Sequence, residues 1–395
     1  GDGTTLNTDP LFADMYNGDY RLSDYSPSIG TGTLDGAPTI DLDGNTRPQP
    51  VATNPDMGAY ENALGERLTG ATYYVATTGS DSSNGQITNP FRTIQYAINA
   101  SWPGDTVIVN PGSYTGDISY NKNIVLGSLI LTTDDTSYSH TTIIIGTVTI
   151  NDGVDSTALF TGFTVKETTT GIICESDVRL RYLIIRDNTY YGIRFTSSEA
   201  TLRNSKVFGN ITNTMSAGAG IRIESSSNIN LVNVVIDSNH QLNVQGGGIF
   251  IQNSTVTMDS CYVTQNIAYS SGGGIYSTSS QLTINNSYIN GNLAQNDVGG
   301  GIYSNSSEGS IVLNNVTVNN NTANYNGGGL HFYEGSLTVN NCYFINNVNN
   351  GSGGGAMSLA IGDVSISGCV IKGNQADQQG GGMQLYNPGG DAWNF

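Results

Sequence analysis

GGGIYSTSSQLTINNSYINGN, residues 272–292, holds both beats of a pattern that organises the carboxy-terminal half of the chain. Gly-Gly-Gly triplets open at Gly246, Gly272, Gly299, Gly327, Gly353 and Gly380, at spacings of 26, 27, 28, 26 and 27 residues, each followed by an apolar residue. A second beat, an apolar or aromatic residue three places before an asparagine, returns at Ile236/Asn239, Val263/Asn266, Ile289/Asn292, Val318/Asn321, Phe344/Asn347 and Ile371/Asn374. A self-similar period of this length is one coil of a solenoid. Within the coil, GIYS, QLTINNS and YINGN are short alternating stretches rich in Ile, Tyr and Thr, separated by polar turn residues. They read as strands. Glycine clusters, at about 1 kcal/mol per residue in a helix interior, oppose helix. Three strands per coil imply a triangular prism, with coils stacked in parallel about 4.8 Å apart so that like residues form ladders. The asparagine beat then predicts a buried ladder whose amides bond to turn backbone and to one another. Glycines at another corner permit positive φ.

On these repeats the chain resembles the right-handed parallel β-helix proteins of the pectate-lyase-like superfamily. The paired beats resemble the GGA(I/L/V) and FxxN motifs of bacterial polymorphic outer-membrane adhesins, with Gly353-Gly-Gly-Ala356 and Phe344-Ile-Asn-Asn347 the nearest matches. The resemblance spans about residues 71–395. It implies an all-β, right-handed parallel β-helix, with coils of about 21–28 residues and a short amino-terminal capping helix; it speaks to architecture more than to chemistry.

The first 70 residues carry 11 acids against 3 bases and no coil repeat. Their DPLF, GDYRL, SPSIGTG, DLDGNTRP and DMGAYE stretches resemble the closing portion of secreted bacterial β-helix domains with a choice-of-anchor tail, here standing first instead of last. The organisation read is a tail-like segment over 1–62, a linker over 63–70 and a β-helix over 71–395 that opens at Tyr73-Tyr-Val-Ala-Thr-Thr-Gly-Ser-Asp. A helix is expected over 89–100, with Asn89 as N-cap, Pro90 in the first turn and Phe91, Ile94 and Ile98 at helical spacing, plugging the open end of the prism. Regular coils begin near residue 192. Because the chain stops at Phe395 inside a coil, the expectation is a unit cut from a longer array, and uncapped strand stacks favour joining of copies end to end.

With 14 Lys plus Arg against 32 Asp plus Glu, the net charge of −18 argues against nucleic acid and against an anionic membrane surface. No membrane span is expected, since the longest apolar run, Ile124 to Leu131, falls far below the roughly 18 residues a span needs. Secretion or display at a cell surface fits the composition. Four cysteines are too few for a disulfide framework. Cys342 and Cys369, one coil apart, read as two buried thiols, with a disulfide between stacked neighbours as the alternative.

Catalytic chemistry on uronates needs grouped carboxylates and cations. From residue 207 onward only Arg222 and Lys372 are basic, and of the nine acids only Glu224 has company. Arg194 and Arg222, at equivalent positions after Gly192-Ile and Gly220-Ile, are expected to stack on one outer face with Glu224 beside them, either as an anionic-glycan cleft or as a solvated, self-compensating ladder. Alternation after the triplets points Phe250, Tyr276, Tyr303 and His331 outward and Ile249, Ile275, Ile302 and Leu330 inward. Such aromatics suit sugar rings, or else stabilise neighbouring strands. The three histidines show no metal-ligand spacing. Asp41-Leu-Asp43-Gly-Asn45 offers alternate oxygens around a glycine, as calcium loops do, without the later Glu; an Asx turn is the other reading.

The sequence therefore reads as an extracellular structural or adhesive repeat protein that needs no cofactor, with calcium as the one candidate cation. Its expected partners are its own copies and extracellular polysaccharide. The alternative is a polysaccharide lyase or glycoside hydrolase acting through Arg194, Arg222 and Glu224. A phage-tail-like spike would require trimer contacts.

Overall fold

The computed structural model describes residues 10–15, 18–378, 380–386 and 393–394; residues 1–9 of the tail-like segment, Asp391 and Phe395 lie outside them. Two compact units emerge, one comprising residues 1–114, 122–142 and 157–160, the other residues 115–121, 143–156 and 161–395.

The larger unit is a parallel solenoid. Its first sheet stacks eleven strands in register, from Ile118–Tyr120 through Ile249–Gln252, Ile275–Thr278 and Ile302–Asn305 to Met383–Leu385. QLTIN and YIN, Gln281–Asn285 and Tyr288–Asn290, belong to one second sheet. Of the two residues that separate them, Asn286 is left-handed at φ 49°, as are Asn315 and Asn341 in the next two coils. Asparagine tolerates that region better than most residues. The third sheet is made of two-residue strands that follow the ladder asparagine, Leu293–Ala294 among seven such pairs. The prism therefore has three sheets built from four strand segments per coil. The expected third stretch is the second half of a bent sheet, and the true third strand is too short to register as a period.

Packing follows the alternation. Ile249, Ile275, Ile302 and Leu330 are wholly buried, as are Leu282, Ile284, Val263, Ile289 and Phe344 on the second sheet. The glycine triplet serves the close passage from the third sheet to the first. Gly272 takes φ 67°, and a Cβ on Gly273 would stand 2.5 Å from the Leu293 carbonyl and 2.6 Å from the Gly300 oxygen of the next coil.

The asparagine ladder is longer than the repeat suggested. In the row Asn188, Asn210, Asn239, Asn266, Asn292, Asn321, Asn347 and Asn374, each of the first seven passes an Nδ2–H to the Oδ1 of the next, at 2.8–3.0 Å. Each Oδ1 from Asn210 onward also accepts a backbone N–H from the asparagine one coil earlier. The second amide hydrogen goes to a carbonyl such as Val263 O from Asn292, at 2.9 Å. All four cysteines are free; Cys174, Cys261 and Cys342 are buried, whereas Cys369 is partly exposed, so only one member of the stacked pair is enclosed.

In the smaller unit, Thr72–Val75, Thr106–Val109 and Val125–Ser128 form a parallel ladder. A helix, Ile94–Ala100, packs on the first two strands. It starts later than expected: Thr93, not Asn89, is the N-cap and accepts from Tyr96 N at 3.2 Å. Asn89-Pro90-Phe91 instead stays extended, as residues before proline prefer, with Phe91 N bonded to Tyr74 O at 2.9 Å. The Asp81 carboxylate accepts from Arg92 N and Thr93 N and so fixes the entry. Residues 10–70 hold an antiparallel pair, Phe12–Asp14 with Asp19–Leu22, followed by irregular chain tied by buried carboxylates. Asp56 accepts from Gly30 N and Asn62 N, Glu61 pairs with Arg47 at 2.8 Å, and Asp105 accepts from Gly70 N and Ala71 N.

Candidate functional site

One outward row of the first sheet gathers both sets of candidates. Register places Arg194 beside Arg222, then Phe250, Tyr276, Tyr303 and His331 in successive coils. Because identical positions stack every coil, a sequence separation of 137 residues becomes six adjacent rungs (331 − 194).

Glu224, the next outward residue after Arg222 on its strand, lies between the two guanidinium groups. Arg194 Nε donates to Oε1 at 2.7 Å, and Arg222 Nε and Nη2 donate to Oε2 at 2.9 and 2.6 Å. Arg222 Nη1 also donates to Ala217 O at 2.8 Å. Burial pushes the Glu224 carboxyl up, but the two guanidiniums together outweigh it and hold the group below its usual value. A depressed carboxylate stabilises the fold above its ordinary pKa and loses that contribution as pH falls through the folded value.

The guanidinium of Arg222 then lies over the Phe250 ring, 4.8 Å from its centroid, and 5.7 Å from that of Tyr191. Phe250, Tyr276, Tyr303 and His331 continue the stack with centroids 5.4, 4.8 and 5.6 Å apart and planes within 19°. Ring faces thus cover one another. Phe250 and His331 are 6% and 7% exposed, and Tyr276 and Tyr303 are half-buried. Burial raises the Tyr303 phenol to about 12 and lowers His331 to about 4, with Asp297 opposing the latter shift in part. The His331 Nδ1 is enclosed without a partner. Asp297 itself accepts from Ser270 and Ser271 hydroxyls at 3.1 and 2.7 Å.

Asp41, Asp43 and Asn45 come together in the smaller unit, but their oxygens are engaged. Asp41 accepts from Asn45 N, Asn45 Nδ2 and Glu61 N at 2.7, 3.0 and 2.9 Å, and Asp43 accepts from Arg21 Nε at 2.8 Å. Calcium there would first have to displace a guanidinium and an amide. Among the described residues no group of three or more His, Cys, Asp or Glu side chains is placed to hold a metal ion.

Tyr191, Asp297 and the two earliest ladder asparagines were not singled out from the sequence. The last had a signal, since Ile185/Asn188 and Val207/Asn210 repeat the same three-residue offset.

The family described as "Right handed beta helix region" matches residues 170–347 and 219–392. No curated protein matches the chain. Among solved structures, pectate lyase Pel9A is 18% identical, with 76% of this chain and 78% of that one covered and a TM-score of 0.49. Pectin methylesterase PemA from Erwinia chrysanthemi is 11% identical, with 64% and 80% covered and a TM-score of 0.37. Pectin methylesterase from carrot is 14% identical, with 80% and 90% covered and a TM-score of 0.35.

Proposed function

The chain belongs to the right-handed β-helix family, and from that premise we propose that it is a non-catalytic extracellular rod, structural or adhesive, that contacts polysaccharide and associates with its own copies along the solenoid axis. The observation that carries the reading is the engagement of Glu224. Its carboxylate is held by Arg194 and Arg222 through 2.6–2.9 Å bonds, so the grouped acid of the first sheet serves neither as a free base nor as a proton donor near neutral pH. The aromatic row beside it stiffens the sheet, with each stacked pair adding about 0.2–1 kcal/mol. In-register backbone along the axis supports addition of further chain. Resemblance of the repeats to surface adhesins, and of residues 1–62 to an anchor-type tail, supports a place outside the cell, as does the charge of −18. No helix of the described residues is long and apolar enough to cross a membrane.

The expected result is retention of the purified chain on immobilised plant or bacterial polysaccharide, together with rods or fibres in electron micrographs at micromolar concentration. Isolated particles that wash from every polysaccharide would remove the reading.

A further inference from the structure

On the second sheet another aromatic row runs outward, and it has a gap. Register aligns Tyr262, Tyr288, Thr317 and Tyr343 in four consecutive coils. The three tyrosines are 43%, 46% and 47% exposed, far more than the rings of the first sheet. Tyr262 and Tyr288 stack at 5.2 Å with planes 7° apart. After Tyr288 the coil supplies a threonine, so Tyr288 and Tyr343 stand two rungs apart with Thr317 between them. Two coil spacings separate those rings by about 9.6 Å. One saturated or aromatic ring fits between them at about the centroid spacing already seen along the first sheet, 4.8–5.6 Å.

The rim of this notch is polar and uncharged. Thr317 is its floor, Asn315 stands exposed two residues before it, and Asn319 two residues after it carries an enclosed Oδ1 with no partner. Beside Asn319 in the neighbouring coils lie Asn290 and Ile345, neither of them charged.

We propose that the Thr317 rung is a binding notch for one neutral pyranose unit of a glycan chain. Its axial C–H faces lie against Tyr288 and Tyr343, and its equatorial hydroxyls meet Thr317 and Asn315. Apolar walls with a polar floor match a sugar ring, which is apolar on its faces and hydroxylated at its rim; Asn315 offers its Oδ1 there, since its Nδ2 donates to Asn286 Oδ1 at 3.2 Å. The first cation along the row of Asn319, Lys372, stands one coil beyond Ile345, so the rungs that line the notch themselves give a uronate carboxylate no counter-charge. The inference rests on the adhesive reading for the class of ligand and goes beyond it in naming the site.

The test is calorimetric titration of cellohexaose and of xylohexaose into the full chain and into Thr317→Tyr, which fills the gap with the residue three neighbouring rungs already carry. The wild type should bind at least one of the two oligosaccharides. Thr317→Tyr should weaken that binding about tenfold or more while melting no lower, and Tyr343→Ala, which removes one wall, should weaken it as well. Unchanged binding by Thr317→Tyr overturns the notch and leaves the adhesive reading standing. Failure of both oligosaccharides to bind the wild type also overturns it, whereas the adhesive reading falls only with loss of retention on every polysaccharide.

Discussion

Asn292→Ala should lower the stability of the coil stack by about 3–5 kcal/mol, measured by denaturant unfolding with Asn350→Ala as control. Asn292 is 1% exposed and fully engaged: its Oδ1 accepts Asn266 N and Asn266 Nδ2, and its Nδ2 serves Asn321 Oδ1 and Val263 O. Truncation strands two buried donors and one buried carbonyl, each at about 1–3 kcal/mol, in a wall of the prism that water does not reach. Asn350 makes the same kind of bond, Nδ2 to Asn324 Oδ1 at 2.9 Å, on the exposed side of the solenoid and without a left-handed backbone. Its removal should change stability by less than about 0.5 kcal/mol. Equal effects of the two substitutions would show that the ladder is not what holds the coils in register.

His331→Phe should make the protein more resistant to mild acid. Burial drives the imidazole down to about 4 from an ordinary 6.5, so the neutral ring is the folded form. A lowered pKa contributes stability that is complete above 6.5 and is lost as pH falls towards 4, because the unfolded chain binds the proton first. By pH 4 the wild type should have lost about 3 kcal/mol relative to the phenylalanine variant, which keeps the stack on Tyr303 and removes an unpartnered nitrogen. The check is the difference between the two unfolding free energies at pH 7 and pH 4. Parallel curves would mean that His331 is solvated in solution.

Most of the solenoid was legible because a parallel stack turns sequence period directly into contact. The spacing of the triplets predicts that Ile275 lies on Ile302, and that Tyr276 lies on Tyr303. What escaped the period was shorter than any periodic signal or depended on a side chain's final partner. Leu293–Ala294 is a two-residue strand, and Thr93 displaced Asn89 as helix cap because Asp81, twelve residues earlier, reaches its backbone. The right-handed β-helix itself was inferred from resemblance, and the family match over residues 170–392 accords with it. For the candidate site, equivalence of position set Arg194 beside Arg222, and alternation turned Phe250, Tyr276, Tyr303 and His331 outward; that the two sets share one row comes from the register of Arg222 with Phe250. It was silent on whether Glu224 stands free or paired, since that depends on rotamers of two long side chains. The calcium-like loop shows the same limit: the spacing of Asp41, Asp43 and Asn45 is right for alternate oxygens, and Arg21, distant in sequence, decides their use.

The measurement that bears most directly on a non-catalytic rod is product release from polygalacturonate, pectin and xylan by micromolar protein over a day, followed by reducing ends and by absorbance of unsaturated uronides. The account predicts no release above the protein-free control from any of the three, in both wild type and Arg194→Ala/Arg222→Ala. Release by the wild type that the double substitution abolishes would contradict it and make Arg194, Arg222 and Glu224 the centre of a polysaccharide-cleaving enzyme.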